Sequence, residues 1–441
     1  MSFLRNTLSK FSIFAKSDYK PLVSNFLSLG LIQVANFLLS IATFPYIVRV
    51  IGVERFGVIT LLQTIMLYFV VLTDYGFNLS ATKDISTNRN DKTRISGIFS
   101  EVMTTKLVLL LLSFIILSCS FILVPDFREH WTLTIFSFTI VLGQALQPTW
   151  FYQGIEKMKY ITYINILNRI LYAVGIFILI SQPQDYLFIN LINGISLIIG
   201  GVISLFIVFS KFGLQYSFPS LSQIRKQLVD SWNIFFATLT VSISNNTNIL
   251  ILGIFANPLV IGYYSIAEKV FQIMRTLATI LYQVVYPRVC ILAQESFEVL
   301  AKFLRKFFRV ILVAFLPLSF LVFAFADYIV YLITGEFISE AALILRIICF
   351  GPFMAALNIP ASQTMLAYKL DKLYTVVLTI GAVINVTLNF ILTFHFQAVG
   401  TALSIMLTEI FITGLLYYAL YRKYPHYTFF INSPLMKSTK V

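Results

Sequence analysis

Leu107-Val-Leu-Leu-Leu-Leu-Ser-Phe-Ile-Ile-Leu-Ser-Cys-Ser-Phe-Ile-Leu-Val124 runs for 18 positions without a charged residue. A helix that crosses a bilayer needs about 20 mostly apolar residues, and a barrel strand only about 10. The run therefore predicts a membrane-spanning helix. Working outward, the same reading repeats along the chain. Apolar stretches occupy 22–49, 57–80, 102–124, 131–153, 161–181, 186–210, 232–256, 262–287, 308–333, 341–366, 373–395 and 398–421. Of the 441 residues, 58% are hydrophobic and only 12% charged; a soluble domain is nearer 45–50% and about 25%. Twelve spans leave no room for a soluble domain, so a soluble enzyme is excluded. The fold class is an all-α polytopic membrane protein with twelve transmembrane helices.

An even number of spans puts both termini on one side. Basic residues choose that side, because cytoplasmic loops are enriched in Lys and Arg. With the N-terminus inside, the inner segments carry 24 of the 32 basic residues, among them Lys83, Lys157, Arg288 and Lys369. The outer loops carry only Arg55 and Arg128. The net charge of +13 is thus mostly a topology signal, with both termini cytoplasmic. Contact with anionic lipid accounts for it, and no nucleic-acid partner is expected. Residues 1–20 are polar and basic without a cleavage pattern, so the first span reads as an uncleaved anchor.

Catalytic chemistry has little to stand on. Cys119, Cys290 and Cys349 are far apart, as are His130, His395 and His426. They make no disulfide framework or zinc motif. No phosphate-gripping glycine loop or nucleophile elbow appears. No catalytic residue, metal or cofactor is expected. Outer loops are too short to carry catalytic carboxylates. The inner segment 288–307, with Glu295, Phe297, Leu300, Phe303, Leu304 and Phe307, reads as an amphipathic helix on the membrane surface. Trp150-Phe151-Tyr152 reads as part of an interfacial aromatic belt.

The two halves resemble each other. Ile51-Gly-Val-Glu-Arg-Phe-Gly57 opens the second span, and Asn257-Pro-Leu-Val-Ile-Gly262 opens the eighth. Aligning Gly57 with Gly262 puts Lys83 and Arg288 at the same offset, 26 residues on. Pro148 is followed nine residues later by Lys157, and Pro360 nine residues later by Lys369. The segment 211–231, with Pro219, is the natural linker. The expected lobes are 1–215 and 216–441. Six spans per lobe gives parallel repeats about a pseudo-two-fold axis along the membrane normal. Transporters built this way bind substrate at the repeat interface and rock one half against the other.

Polar residues inside the spans point to where. Glu268, Gln272, Arg275, Thr279 and Gln283 recur at three- and four-residue steps, which makes one stripe on one helix face. Arg49 and Asp74 lie within the first two spans and Asn245 within the seventh; Lys269 flanks the stripe. An ionised residue at the centre of a span costs about 2.5–3.5 kcal/mol, so these groups must pair or face water. Arg holds phosphate by a two-pronged hydrogen bond. The expected ligand is a phosphate-bearing amphiphile or an acidic solute. Arg275, Arg49, Lys269, Gln272 and Asn245 are the candidate binding residues. Asp74 and Glu268 are candidates for a coupling ion, or neutralise the cations. Lys106, Arg169 and Arg346 read as snorkelling or paired structural charges.

At three segments the chain resembles a known family. Arg49-Val-Ile-Gly-Val-Glu-Arg-Phe-Gly57, Asp74-Tyr-Gly-Phe-Asn-Leu-Ser-Ala-Thr-Lys83 and Pro148-Thr-Trp-Phe-Tyr-Gln-Gly-Ile-Glu-Lys157 look like bacterial O-antigen flippases. These belong to the multidrug/oligosaccharidyl-lipid/polysaccharide exporter superfamily. The resemblance implies a two-lobed fold with a central cavity. It implies movement of an undecaprenyl-pyrophosphate-linked oligosaccharide across the bacterial inner membrane, with Arg275, Arg49 and Lys269 suited to the pyrophosphate. Its implied partners are membrane lipids, a polysaccharide polymerase and chain-length machinery. An ion-coupled small-molecule or multidrug exporter on the same scaffold is the alternative.

Overall fold

The computed structural model describes residues 42–123 and 128–424. Its order is α1 (Ala42–Ile51), α2 (Val53–Asp74), α3 (Phe77–Thr87), α4 (Lys92–Leu123), α5 (Trp131–Ala145), α6 (Thr149–Gly154), α7 (Lys159–Leu179), α8 (Tyr186–Lys211) and α9 (Leu221–Phe255). α10 (Pro258–Glu295), α11 (Phe297–Ala324), α12 (Ala326–Thr334), α13 (Ser339–Ile348), α14 (Gly351–Ala367) and α15 (Asp371–Lys423) follow. Among the described residues there is no strand. Eight segments are long and apolar enough to cross a membrane, nine if the two parts of α9 make one span. The first predicted span, 22–49, lies outside the described residues except for its end. The fourth is interrupted at Leu146–Pro148, which divides it into α5 and α6. The last two form α15, whose 53 residues would reach about 80 Å as one straight helix, far beyond a hydrocarbon core of about 30 Å. Gln397 breaks it with φ 48° and ψ −127°. The chain reverses there: the Thr393 and Thr401 hydroxyls share a hydrogen bond of 2.8 Å.

The residues fall into two compact units. The first takes those up to Gly52 and Leu61–Ile243; the second takes Val53–Thr60 and those from Ser244 onward.

In the first unit α2 ends at a tight bend, with Tyr75 and Gly76 both at positive φ. Gly76 is required there, since a Cβ would stand 2.7 Å from the Ile234 side chain and 3.1 Å from its backbone. The bend turns Phe77 inward to a core with Ile85, Phe99, Tyr160 and Phe235. The Trp150-Phe151-Tyr152 triplet corrects the belt reading. All three are buried at 0–1% exposure, and the Tyr152 hydroxyl donates to the Ser204 carbonyl at 2.8 Å. The break before Pro148 starts a new helix whose aromatic face turns into the core. Two of the three quoted segments meet here: the Thr82 hydroxyl donates to the Trp150 carbonyl at 3.1 Å. The expected linker is only partly irregular. Residues 213–220 form a strap along α4, held by Ser96 and Ser100 hydroxyls accepting from Gln215 and Ser217 amides and by a Thr104–Tyr216 hydroxyl pair. α9 then begins, and Gln223 and Gln227 donate to the buried Glu101 carboxylate at 3.1 and 2.7 Å.

In the second unit the predicted surface helix is corrected too. α11 starts at an N-cap, where the Ser296 hydroxyl accepts from the Val299 amide. Leu300, Leu304 and Phe307 then pack into a core with Val289, Ile359 and Met365. An amphipathic pattern predicts a covered face; here protein covers it. The segments that open the two repeats also touch in this unit. A Cβ on Gly57 would lie 2.0 Å from the Pro258 carbonyl oxygen, and one on Gly262 would lie 2.2 Å from that of Val53. Small residues allow membrane helices to approach this closely. Gly57→Ala forces backbone apart and is expected to destabilise the protein by about 1–3 kcal/mol, read as a lower melting temperature in detergent. Gly97→Ala, where a Cβ meets nothing within 4 Å, is the matched control and is expected to melt no lower than the parent.

Candidate functional site

In each unit a polar cleft lies among the apolar helices. In the first unit it has a volume of about 230 Å³ and is lined by Thr73, Asp74, Asn78, Lys106, Gln144, Gln147, Thr149 and Thr238, with Val70 and Val71. Asp74 closes α2, where the helix dipole is unfavourable to a carboxylate. Lys106 answers it from α4, with Nζ 3.2 Å from Asp74 Oδ1. Asn78 Nδ2 donates to Asp74 Oδ2 at 2.8 Å, and the Thr149 hydroxyl donates to Asn78 Oδ1 at 2.8 Å. The relay thus joins α2, α3, α4 and α6. The Lys106 side chain is 3% exposed and that of Asp74 16%. Lys106 is therefore a paired charge and does not snorkel. Arg346 is paired as well, with Asp327.

The second unit holds a cleft of about 340 Å³. Arg275, Thr279 and Tyr282 line it from α10, Asn358 and Ser362 from α14, and Tyr374 and Glu409 from α15. Along α10, Gln272, Thr279 and Gln283 are exposed and Arg275 and Glu268 half-buried. The stripe is thus not sealed in helix contacts. Facing lipid would cost several kcal/mol for the arginine alone, so a hydrated surface on this side of α10 is the less costly arrangement. Phe271 supports the guanidinium, its ring centre 5.9 Å from Arg275 Cζ. Among the described residues the guanidinium makes no ion pair within 4 Å and donates no hydrogen bond to another side chain.

The remaining predicted residues are dispersed. Lys269 is exposed on α10 but, like Gln272, does not line this cleft. Arg49 is exposed in the last turn of α1, in the first unit. Asn245 belongs to α9, and its side chain lies outside the described residues. Sequence reasoning missed Glu409, although an acid near the middle of the last apolar stretch was a signal in plain view. It also missed Glu101, whose hydrogen-bond donors Gln223 and Gln227 are more than 100 residues away in the chain, although Arg94 pairs with it locally.

With the geometry established, the chain can be compared with known proteins. A family model described as polysaccharide biosynthesis protein matches residues 22–291. A protein of Escherichia coli strain K12, assigned as an O-antigen transporter, is 30% identical over 397 residues, which is 89% of this chain and 95% of that one. Among solved structures, lipid II flippase MurJ in an inward closed conformation matches with a TM-score of 0.67 at 16% identity, over 90% of this chain and 87% of its own. An inward-facing multidrug resistance transporter of the MATE family matches with 0.64 at 14% identity, over 89% of this chain and 94% of its own. At such identities both structures speak for the fold alone. A flippase and a drug exporter share it, so the fold does not choose between them.

Proposed function

Because the chain belongs to the polysaccharide biosynthesis protein family, we propose that this multi-pass membrane protein is a flippase for an undecaprenyl-pyrophosphate-linked oligosaccharide. It carries the O-antigen repeat unit across the bacterial inner membrane by alternating access, for cell-surface polysaccharide synthesis. In this reading twelve transmembrane helices form two six-helix lobes, 1–215 and 216–441, related by a pseudo-two-fold axis along the membrane normal. Both termini are cytoplasmic. The repeat in the sequence supports this, as does the contact between its equivalent glycines, Gly57 and Gly262. The protein moves its substrate without altering it and needs no cofactor. A polysaccharide polymerase with its chain-length machinery takes the product at the outer leaflet.

The observation that carries the reading is an arginine inside an apolar helix bundle whose guanidinium makes no ion pair within 4 Å and no side-chain hydrogen bond among the described residues. Such a group in a membrane marks a substrate path, and a guanidinium matches phosphate in geometry and charge. Arg275 grips the pyrophosphate. Arg49, Lys269, Gln272 and Asn245 guide the head group along its way, while the apolar tail stays in lipid. Asp74 and Glu268 are the places for a coupling ion. At Asp74 the ion competes with Lys106 for the carboxylate.

Reconstitution in vesicles tests the function. With a fluorescent lipid-linked glycan in one leaflet, the purified protein is expected to expose it on the other side, and an imposed ion gradient reports coupling. Efflux of a small cationic dye without glycan crossing assigns the chain instead to the exporters.

A further inference from the structure

The cleft around Arg275 holds more than an anion needs. Glu409 lies in the same cleft, close enough for the two charges to interact but not within 4 Å. Among the described residues its carboxylate accepts no hydrogen bond. The Tyr282 and Tyr374 hydroxyls, which face the same space, make none either. The Thr279 and Ser362 hydroxyls donate to carbonyls of their own helices, Arg275 and Ile359, and are left as acceptors. The cleft thus combines one cation with several acceptors. A carboxylate repels a pyrophosphate, so the part of the ligand beside Glu409 is something else. It must be uncharged or cationic and must offer hydrogen-bond donors. The volume of 340 Å³ sits at the small end of ligand pockets, about 300–1,000 Å³, which fits one small group next to the phosphate and not a whole repeat unit.

We propose that this cleft is a sugar-recognition subsite: Arg275 holds the phosphate while Glu409, with Tyr282 and Tyr374, accepts hydrogen bonds from hydroxyls of the sugar attached to it. The assignment rests on the flippase reading and adds selectivity to it. A site that hydrogen-bonds a hydroxyl discriminates strongly against a ligand without one, because its own polar groups are then left unpaired.

The test is a binding titration of the full chain in nanodiscs with three probes. These are undecaprenyl pyrophosphate, the same lipid bearing one glucose, and the glucose lipid with its hydroxyls O-methylated. The wild type is expected to bind the glucose lipid at least about tenfold tighter than its O-methylated counterpart, the scale of a hydrogen bond to a charged group. E409A and the isosteric E409Q are expected to lower that ratio several-fold, since a charged acceptor contributes more than the neutral groups that remain. By removing a like charge, both raise the affinity for the bare lipid, a change that a packing role for Glu409 does not produce. Equal binding of the glucose and O-methylated lipids by the wild type overturns the subsite and leaves the flippase standing. That comparison needs no variant, so it decides even if both variants misfold. Retained discrimination in well-folded E409A also overturns it. If none of the three lipids binds the wild type, the flippase reading falls and the subsite with it.

Discussion

Replacing Arg275 with alanine is expected to slow delivery of lipid-linked glycan to the opposite leaflet by about 10- to 100-fold. A hydrogen bond to a charged group is worth about 1.5–3 kcal/mol, and each 1.4 kcal/mol is a factor of ten. Among the described residues the guanidinium has no ion pair within 4 Å to release before it meets a phosphate; the Glu409 carboxylate lies farther off. Insertion should not suffer. Removing a charge from a span relieves about 2.5–3.5 kcal/mol of insertion cost, so Arg275→Ala should reach the membrane at least as well as the parent. Arg275→Lys keeps the charge but loses the fork and should fall between the two. The measurement is the initial rate of glycan exposure in proteoliposomes, normalised to inserted protein. A wild-type rate in Arg275→Ala would remove this residue from the path.

Lys106→Ala is expected to have the largest effect on stability. It leaves Asp74 inside the helix bundle with Asn78 as its remaining side-chain donor. Removing one partner of a buried ion pair costs about 3–5 kcal/mol, a large share of a net stability of about 5–15 kcal/mol. The melting temperature in detergent should fall steeply. The double variant Lys106→Met with Asp74→Asn removes both charges at similar volume and should recover most of the loss, since neutral replacements of buried pairs are often harmless. If Lys106→Ala melts with the wild type, or the double variant melts lower than the single one, the pair is not what holds α2 to α4.

That the chain is built of long apolar helices was legible, because an uncharged run of the length of Leu107–Val124 has few other readings. The polar stripe of α10 was legible from its spacing, and Arg275 does line a cleft. What one residue touches on a distant helix was not legible. Lys106 finds Asp74 32 positions away, and no local pattern names that partner. Trp150-Phe151-Tyr152 sits at the end of a span, where aromatics commonly mark the interface. The helix break at Leu146–Pro148 turned them inward instead. Leu300, Leu304 and Phe307 announced an apolar face, but periodicity does not say whether lipid or protein covers it. Glu409 was readable as an acid in an apolar stretch. Its spatial neighbour became visible only when α15 brought it to the same cleft as Arg275.

The reversal at Gln397 bears on how the chain is made. Thr393 is fully buried, and its hydroxyl is shared between Asn389 Oδ1 and Thr401. Thr401 lies beyond the turn, so it leaves the ribosome later. While the nascent chain ends short of it, the buried Thr393 has Asn389 as a partner but lacks the Thr401 hydroxyl. The last two segments therefore enter the bilayer most cheaply as a single hairpin, released together once the second has emerged.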